Sequence, residues 1–275
     1  MRRRISAEAA SIRLNNARVI VTGASSGIGR AIAIEFGRRG ARLVLASRNR
    51  PALDGVAEAI NAQGGSAVVI PTDLTEPGAA ERMVKDAIVE LGGIDILVNN
   101  AGVGMQAPIA DASSADVAAL FGLNVLAAAA AIRAVVPSMR AQGAGMVINI
   151  SSIAGRIVVP RIGYYSATKF ALTAIGDALR MEEAHRGIKV MNVFPGTTRS
   201  SFGENRLGLR GRGAHQRLPP VSAEKVARKI ANAVQRDQSS VYISWFPDRA
   251  GVAANWLAGW AISAVLTRWA RRAET

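Results

Sequence analysis

Short apolar runs alternate with longer mixed segments almost from the start of the chain. RVIVT (18–22), ARLVLA (41–46), SAVVI (66–70), IDILV (94–98), GMVINI (145–150), IKVMNVF (188–194) and SVYIS (240–244) are short, and most are rich in Val and Ile with little polar alternation. Strands covered on both faces of a parallel sheet have this character. Between them lie stretches of helix length, among them GIGRAIAIEFGRRG, PGAAERMVKDAIVELGG and SAEKVARKIANAVQR. Strand–helix alternation with right-handed crossovers predicts an α/β fold: a doubly wound parallel sheet of about seven strands with helices on both faces.

The 275 residues suffice for one large domain with a well-buried core, and no internal repeat argues for more. That domain is expected over 18–245, behind a basic arm at 1–17 and ahead of an apolar helix with a basic end at 246–275. Cysteine is absent, which excludes disulfides and thiol chemistry and leaves the compartment open. No metal site is expected. MRRRISAEAASIRL is basic but lacks an apolar core of signal-peptide length, so a cytoplasmic location is the default expectation.

The net charge of +14 is uneven: residues 1–13 carry +3, 199–217 carry +4 and 268–275 carry +2. Such clusters mean a solvated surface or an anionic partner. They lack interleaved aromatics or a nucleic-acid motif, so no nucleic acid is expected. From Ala250 to Thr267 there is no charge, and Trp256 and Trp260 lie one turn apart. Three readings of this tail stay open: a packed lid or subunit-interface helix, a peripheral membrane helix, or a span.

The first apolar run leads into TGASSGIGR, with Gly23, Gly27 and Gly29 spaced G-x-x-x-G-x-G. Such a turn lets a backbone approach a pyrophosphate closely and aims N–H groups from a helix start at it. After the second run, ASRNR offers Ser47 and Arg48 where an acid would hold a bare ribose. A guanidinium there suits a 2′-phosphate, which favours NADP(H) and leaves NAD(H) as the alternative.

Together these and later motifs resemble the short-chain dehydrogenase/reductase family. TGASSGIG is similar to its cofactor turn, NNAG (99–102) to its fourth-strand motif, NISS (149–152) to its serine strand, YSATK (165–169) to its active-site pair and PG (195–196) to its nicotinamide loop. The likeness runs from residue 18 to about 200, and the part past about 245 lies outside it. It implies a Rossmann-like fold, a nicotinamide cofactor and a dimer or tetramer.

The resemblance also implies roles. Ser25, Ser26 and Ile28 surround the phosphates; Asp73, with Leu74 beside it, takes the adenine edge. Asn100, Ala101 and Gly102 line the adenosine ribose side. The loop at Pro195, Gly196 and Thr198 holds the carboxamide, with Ser200 near it. Asn124 orders a water that links Lys169 to solvent.

Tyr165 and Lys169 share a helix face, whereas Tyr164 points elsewhere. A free phenol has a pKa of about 10, and lowering it to about 7 takes about 4 kcal/mol. An ammonium about 5 Å away at an effective dielectric of about 20 supplies about 3 kcal/mol. One lysine is therefore expected nearly to suffice. Ser152 ends an apolar strand thirteen residues before Tyr165, and its hydroxyl can donate to a carbonyl as charge grows there. Ser151 is its rival, and the family pattern favours Ser152.

Residues 197–220 should form a mobile lid, whose five arginines suggest an anionic or thioester-linked substrate or, equally, a solvated loop. The expected activity is NADP(H)-dependent hydride transfer between nicotinamide and a carbonyl or secondary alcohol. The alternative is a non-catalytic, dinucleotide-responsive binding protein with a basic interaction surface. The intact Ser–Tyr–Lys–Asn set argues against it.

Overall fold

The computed structural model describes residues 12–203, 205–208, 220–244 and 252. The basic N-terminal cluster, the centre of the arginine-rich loop and the apolar tail with Trp256 and Trp260 therefore lie outside the described residues.

Elements alternate in chain order as β1 (Arg18–Thr22), α1 (Gly27–Arg38), β2 (Arg42–Ser47), α2 (Arg50–Asn61), β3 (Ser66–Pro71), α3 (Ala79–Leu91), β4 (Ile96–Asn99), α4 (Ser114–Gln142), β5 (Gly145–Ile150), α5 (Gly163–Glu183), β6 (Ile188–Pro195), α6 (Ala223–Gln235) and β7 (Ser240–Ile243). The seven strands form one parallel sheet in the order β7-β6-β5-β4-β1-β2-β3. The order reverses between β1 and β4, the place where open α/β sheets hold ligands beyond the strand ends.

Strand alternation divides the core into two layers. Val19 and Val21 pack on one face with Phe36, Leu43, Ile96 and Ile230, under α1, α2 and α6. Ile20 and Val44 pack on the other with Met83, Val135 and Val147, under α3, α4 and α5. Both faces are apolar, which is why the strands show little polar alternation. The run IDILV becomes a strand only from Ile96, yet Ile94 is fully buried just before it. Ser114–Gln142 is long and apolar enough to cross a bilayer, but half of its most apolar window is buried inside the protein.

Three ion pairs, centred on Asp95 and Glu183, fasten the frame. Arg18 grips Asp95 with two bonds of 2.9 and 2.6 Å, joining β1 to the turn before β4. Glu183, 2% exposed, binds both Arg140 at the end of α4 and Arg186 beyond α5.

Candidate active site

The site is built where β1 and β4 end side by side. Thr22 closes β1, and its hydroxyl accepts from the backbone N–H groups of Asn100 (2.9 Å) and Ala101 (3.1 Å). The Asn100 amide returns the contact by donating to the carbonyls of Thr22 (2.8 Å) and Gly23 (3.2 Å). Gly27 sits at φ +53°, a conformation that side chains rarely adopt. At Gly29 a Cβ would overlap the Gly23 carbonyl, so only glycine lets the turn fold under the start of α1.

That helix begins at Ser26 with no side-chain cap and no acid in its first turn. Its leading N–H groups therefore remain available to an anion. A cavity of about 1260 Å³ opens over them, lined by Gly23, Ser25, Ser26, Gly27 and Ile28. It exceeds the roughly 300–1,000 Å³ of a drug-sized pocket and leaves room for a dinucleotide with a second ligand. The uncapped helix start and the close glycine turn fit such a cofactor. Gly29 supports the turn from below rather than lining the cavity.

Ser47, Arg48, Asp73 and Leu74 line the far end. The Thr75 hydroxyl (2.7 Å) and N–H (2.9 Å) hold the Asp73 carboxylate in place and push its pKa below the usual range. Arg48 is 69% exposed and lies 3.9 Å from Asp73, a loose pair that leaves its guanidinium at the cavity rim. Asn100, Ala101 and Gly102 form one wall of the middle, and Pro195, Gly196, Thr198 and Ser200 another.

At the other end lie Ser152, Tyr165 and Lys169. The Ser152 hydroxyl accepts from the Ala154 N–H at 3.1 Å and stands beside the Tyr165 phenol, whose pKa it pulls down. Ser151 turns the other way, bonding the Lys169 carbonyl (3.1 Å) and the Thr173 hydroxyl (2.9 Å) in the core. Strand alternation thus gives the phenol to Ser152 and the helix anchor to Ser151.

The Lys169 ammonium is buried, donates to the Ile150 carbonyl at 2.9 Å and sits 5.8 Å from the Tyr165 ring centroid. Burial pushes the Tyr165 phenol up to about 12 against the opposing pull of Ser152, and pushes Lys169 down to about 8. In the protein alone the expected acidification by lysine is therefore reversed. Desolvation penalises both charged forms and outweighs their attraction.

Asn124 is held inside the fold. It lies in a π-helical turn of α4, Gly122–Leu126, and is 1% exposed. Its amide accepts from the Val103 N–H (2.8 Å) and donates to the Val103 carbonyl (2.8 Å) and the Thr168 hydroxyl (3.2 Å). The side chain thus clamps the segment after NNAG against α5 and does not line the cavity.

The described lid residues are docked rather than loose. Leu207 and Gly208 pair with Met105 and Gln106 as a short parallel ribbon. Phe202 packs on the Tyr165 ring with centroids 5.9 Å apart, and Arg206 donates to Gln106 at 2.8 Å. Thr22, Thr168, Phe202 and the Val103 clamp were missed as site residues, and Ser151, weighed as a rival to Ser152, instead anchors the helix. For Thr22 a signal exists, since a hydroxyl ends an otherwise apolar strand; Phe202 has none, because only folding brings it to Tyr165.

The family model for short chain dehydrogenases matches residues 17–207. The chain belongs to that family. The dehydrogenase is 32% identical over 230 residues to ketoacyl reductase HetN of Nostoc sp., covering 83% of this chain and 79% of the relative. It is 32% identical over 273 residues to an SDR family protein 7-like dehydrogenase/reductase of Anopheles gambiae, 95% of this chain and 84% of that one, so the likeness reaches past residue 245. Against glycine betaine reductase ATRR of Emericella nidulans it is 41% identical over 179 residues, which span 14% of that longer protein. Among solved structures, a Burkholderia phymatum family member in complex with NAD shares 25% identity at TM-score 0.79, covering 89% of this chain and 94% of that one. A metagenomic short-chain oxidoreductase in complex with NADP shares 31% identity at TM-score 0.72, covering 84% and 97%.

Proposed function

We propose that this short-chain dehydrogenase is an NADP(H)-dependent carbonyl reductase, working also as the reverse alcohol dehydrogenase. The observation that carries the reading is that Ser152, Tyr165 and Lys169 line the same cavity as the uncapped start of α1. The bound nicotinamide supplies or accepts the hydride. Gly23, Ser25, Ser26, Gly27 and Ile28 would hold its pyrophosphate, Arg48 a 2′-phosphate, and Thr198 with Ser200 the nicotinamide end. Solved relatives in complex with NAD and with NADP support either dinucleotide, and the rim position of Arg48 favours the second.

The protein's own contribution is proton and charge management. The high pKa of the Tyr165 phenol keeps its proton in place until a carbonyl oxygen arrives to take it. Ser152 donates to the same oxygen and stabilises the charge growing there. Lys169 lies behind the pair as a buried cation that restrains the phenolate after transfer. Met105, Ile153, Ile157, Val159, Ile162 and Phe202 line the substrate end, so the carbonyl sits on an apolar body. The relative HetN is called a ketoacyl reductase, which fits such a body and keeps 3-oxoacyl compounds in the substrate class.

A screen of 3-oxoacyl thioesters and bulky apolar ketones with NADPH tests this. Steady oxidation by the parent, lost about a hundredfold or more in Tyr165→Phe, is the expected result. Tight dinucleotide binding without turnover across the panel would overturn it in favour of a binding protein.

A further inference from the structure

Three asparagines lie side by side inside the sheet. Asn99, Asn149 and Asn192 are 4%, 0% and 0% exposed and pair in register across β4, β5 and β6. Each amide donates in the same direction. Asn99 Nδ2 gives to Asn149 Oδ1 (3.0 Å), Asn149 Nδ2 to Asn192 Oδ1 (3.2 Å), and Asn192 Nδ2 to Asp177 Oδ1 (2.9 Å) and the Thr173 carbonyl (3.2 Å). The row ends on a carboxylate, which can only accept, so Asp177 sets the direction of the whole series.

Stability does not demand this row. Apolar side chains of the same shape, as on the rest of these strands, would avoid the desolvation of three amides. What the row does is meet α5. Gly176 lies directly on it, and a Cβ there would overlap both Asn149 and Asn192. One turn nearer the site, Ser151 bonds the Thr173 hydroxyl and the Lys169 carbonyl. The helix that carries Tyr165 and Lys169 is thus pinned lengthwise by Asp177, Thr173 and Lys169, while β5 leads straight on to Ser152.

We infer that the Asn99–Asn149–Asn192–Asp177 row is a positioning device that sets α5 along its axis, so that Tyr165 meets Ser152. It rests on the reductase reading for its kinetic consequence and on the geometry alone for its mechanical one. Directional bonds fix a translation that greasy contacts would leave soft, and catalytic geometry is sensitive to displacements of about 1 Å.

Asp177→Leu is the deciding variant, because Asp177 is partly exposed on the helix and its loss does not open the core. The expected result is kcat down about tenfold or more, the NADPH KM within twofold, and faster hydrogen exchange of the 163–183 helix in the protein without ligand. Asp177→Asn keeps an acceptor and should restore kcat to within about threefold. Arg180→Leu, which removes the 3.0 Å Asp177–Arg180 pair together with the Arg180 bonds to the Val190 and Ser239 carbonyls and leaves the row intact, should keep kcat within about threefold of the parent. Asn149→Leu, if folded, should match Asp177→Leu.

Parental kcat together with parental helix exchange in Asp177→Leu overturns the inference. So does an Asp177→Asn variant as slow as Asp177→Leu. A parent that binds dinucleotide but reduces nothing sinks the reductase reading instead, and helix exchange in Asp177→Leu then decides the row.

Discussion

The Lys169 ammonium lies 5.8 Å from the centroid of the Tyr165 ring and spends one hydrogen bond, at 2.9 Å, on the Ile150 carbonyl. Across that distance the cation does not make the phenol acidic in the protein alone, because burial acts on both groups. With the phenol at about 12 and the ammonium at about 8, matching Tyr165 to neutral pH would take about 7 kcal/mol, more than twice what one ammonium supplies.

The ligand-free phenol should therefore stay protonated well above neutrality. Phenolate absorbance of the parent minus that of Tyr165→Phe should show no increment between pH 7 and 10. A step near pH 7 would mean that the lysine alone suffices.

Lys169 itself should leave a mark on stability. Its folded pKa is depressed from 10.5 to about 8, so the unfolded chain binds the extra proton between those values. Stability then rises with pH across that window, by an amount on the order of 3 kcal/mol. The opposing loss from Tyr165, whose folded pKa is raised, begins only above about pH 10. Urea unfolding of the ligand-free protein should show the rise from pH 8 to 10. Lys169→Met should abolish it and unfold at higher urea at pH 7, a gain in stability at the expense of turnover. A flat parental profile would count against a desolvated lysine.

What the sequence makes legible follows its physical locality. Strands such as RVIVT and GMVINI declare themselves because both faces are buried, and Gly27 and Gly29 because their turn tolerates no side chain. Tyr165 and Lys169 are readable as a pair because a helix brings residues four apart together. The clamp that Asn124 makes was not legible, because burial cannot be read from one polar residue in an alanine-rich run and its partner Val103 is 21 positions away. The ligand-free pKa of Tyr165 departs from the charge-only argument for a related reason. Charge separation can be guessed from helix geometry, whereas the desolvation that overrides it depends on the whole surrounding fold. Phe202 against Tyr165 and the asparagine row across three strands are likewise products of tertiary packing.

Glu183 should control acid resistance. Its carboxylate is held down to about 2 by hydrogen bonds and charge from Arg140, then Arg186. A depressed carboxylate contributes stability that is complete above its unfolded pKa of 4.5 and lost as pH falls toward 2. Both arginines are nearly half in solvent, so the contribution is on the order of 2 kcal/mol rather than the full value of the shift. Glu183→Gln should lower stability by about that much at pH 7 and flatten the fall between pH 4.5 and 2. Equal acid profiles for parent and variant would show that the junction of α4 and α5 does not depend on this charge.

Cofactor choice turns on Arg48. Its guanidinium stands at the rim beside Ser47, with only a 3.9 Å contact to Asp73, and Asp73 is already satisfied by Thr75. Little is broken when Arg48 swings toward a 2′-phosphate, and a forked charge-assisted pair there is worth roughly 1.5–3 kcal/mol. Arg48→Ala should raise the Kd for NADPH about tenfold to a hundredfold and leave NADH within threefold, read by quenching of protein fluorescence. The NADPH loss should shrink as salt rises, since the contact is exposed. Equal losses for both dinucleotides would mean that Arg48 does not read the phosphate, and the site would then be assigned to NAD(H).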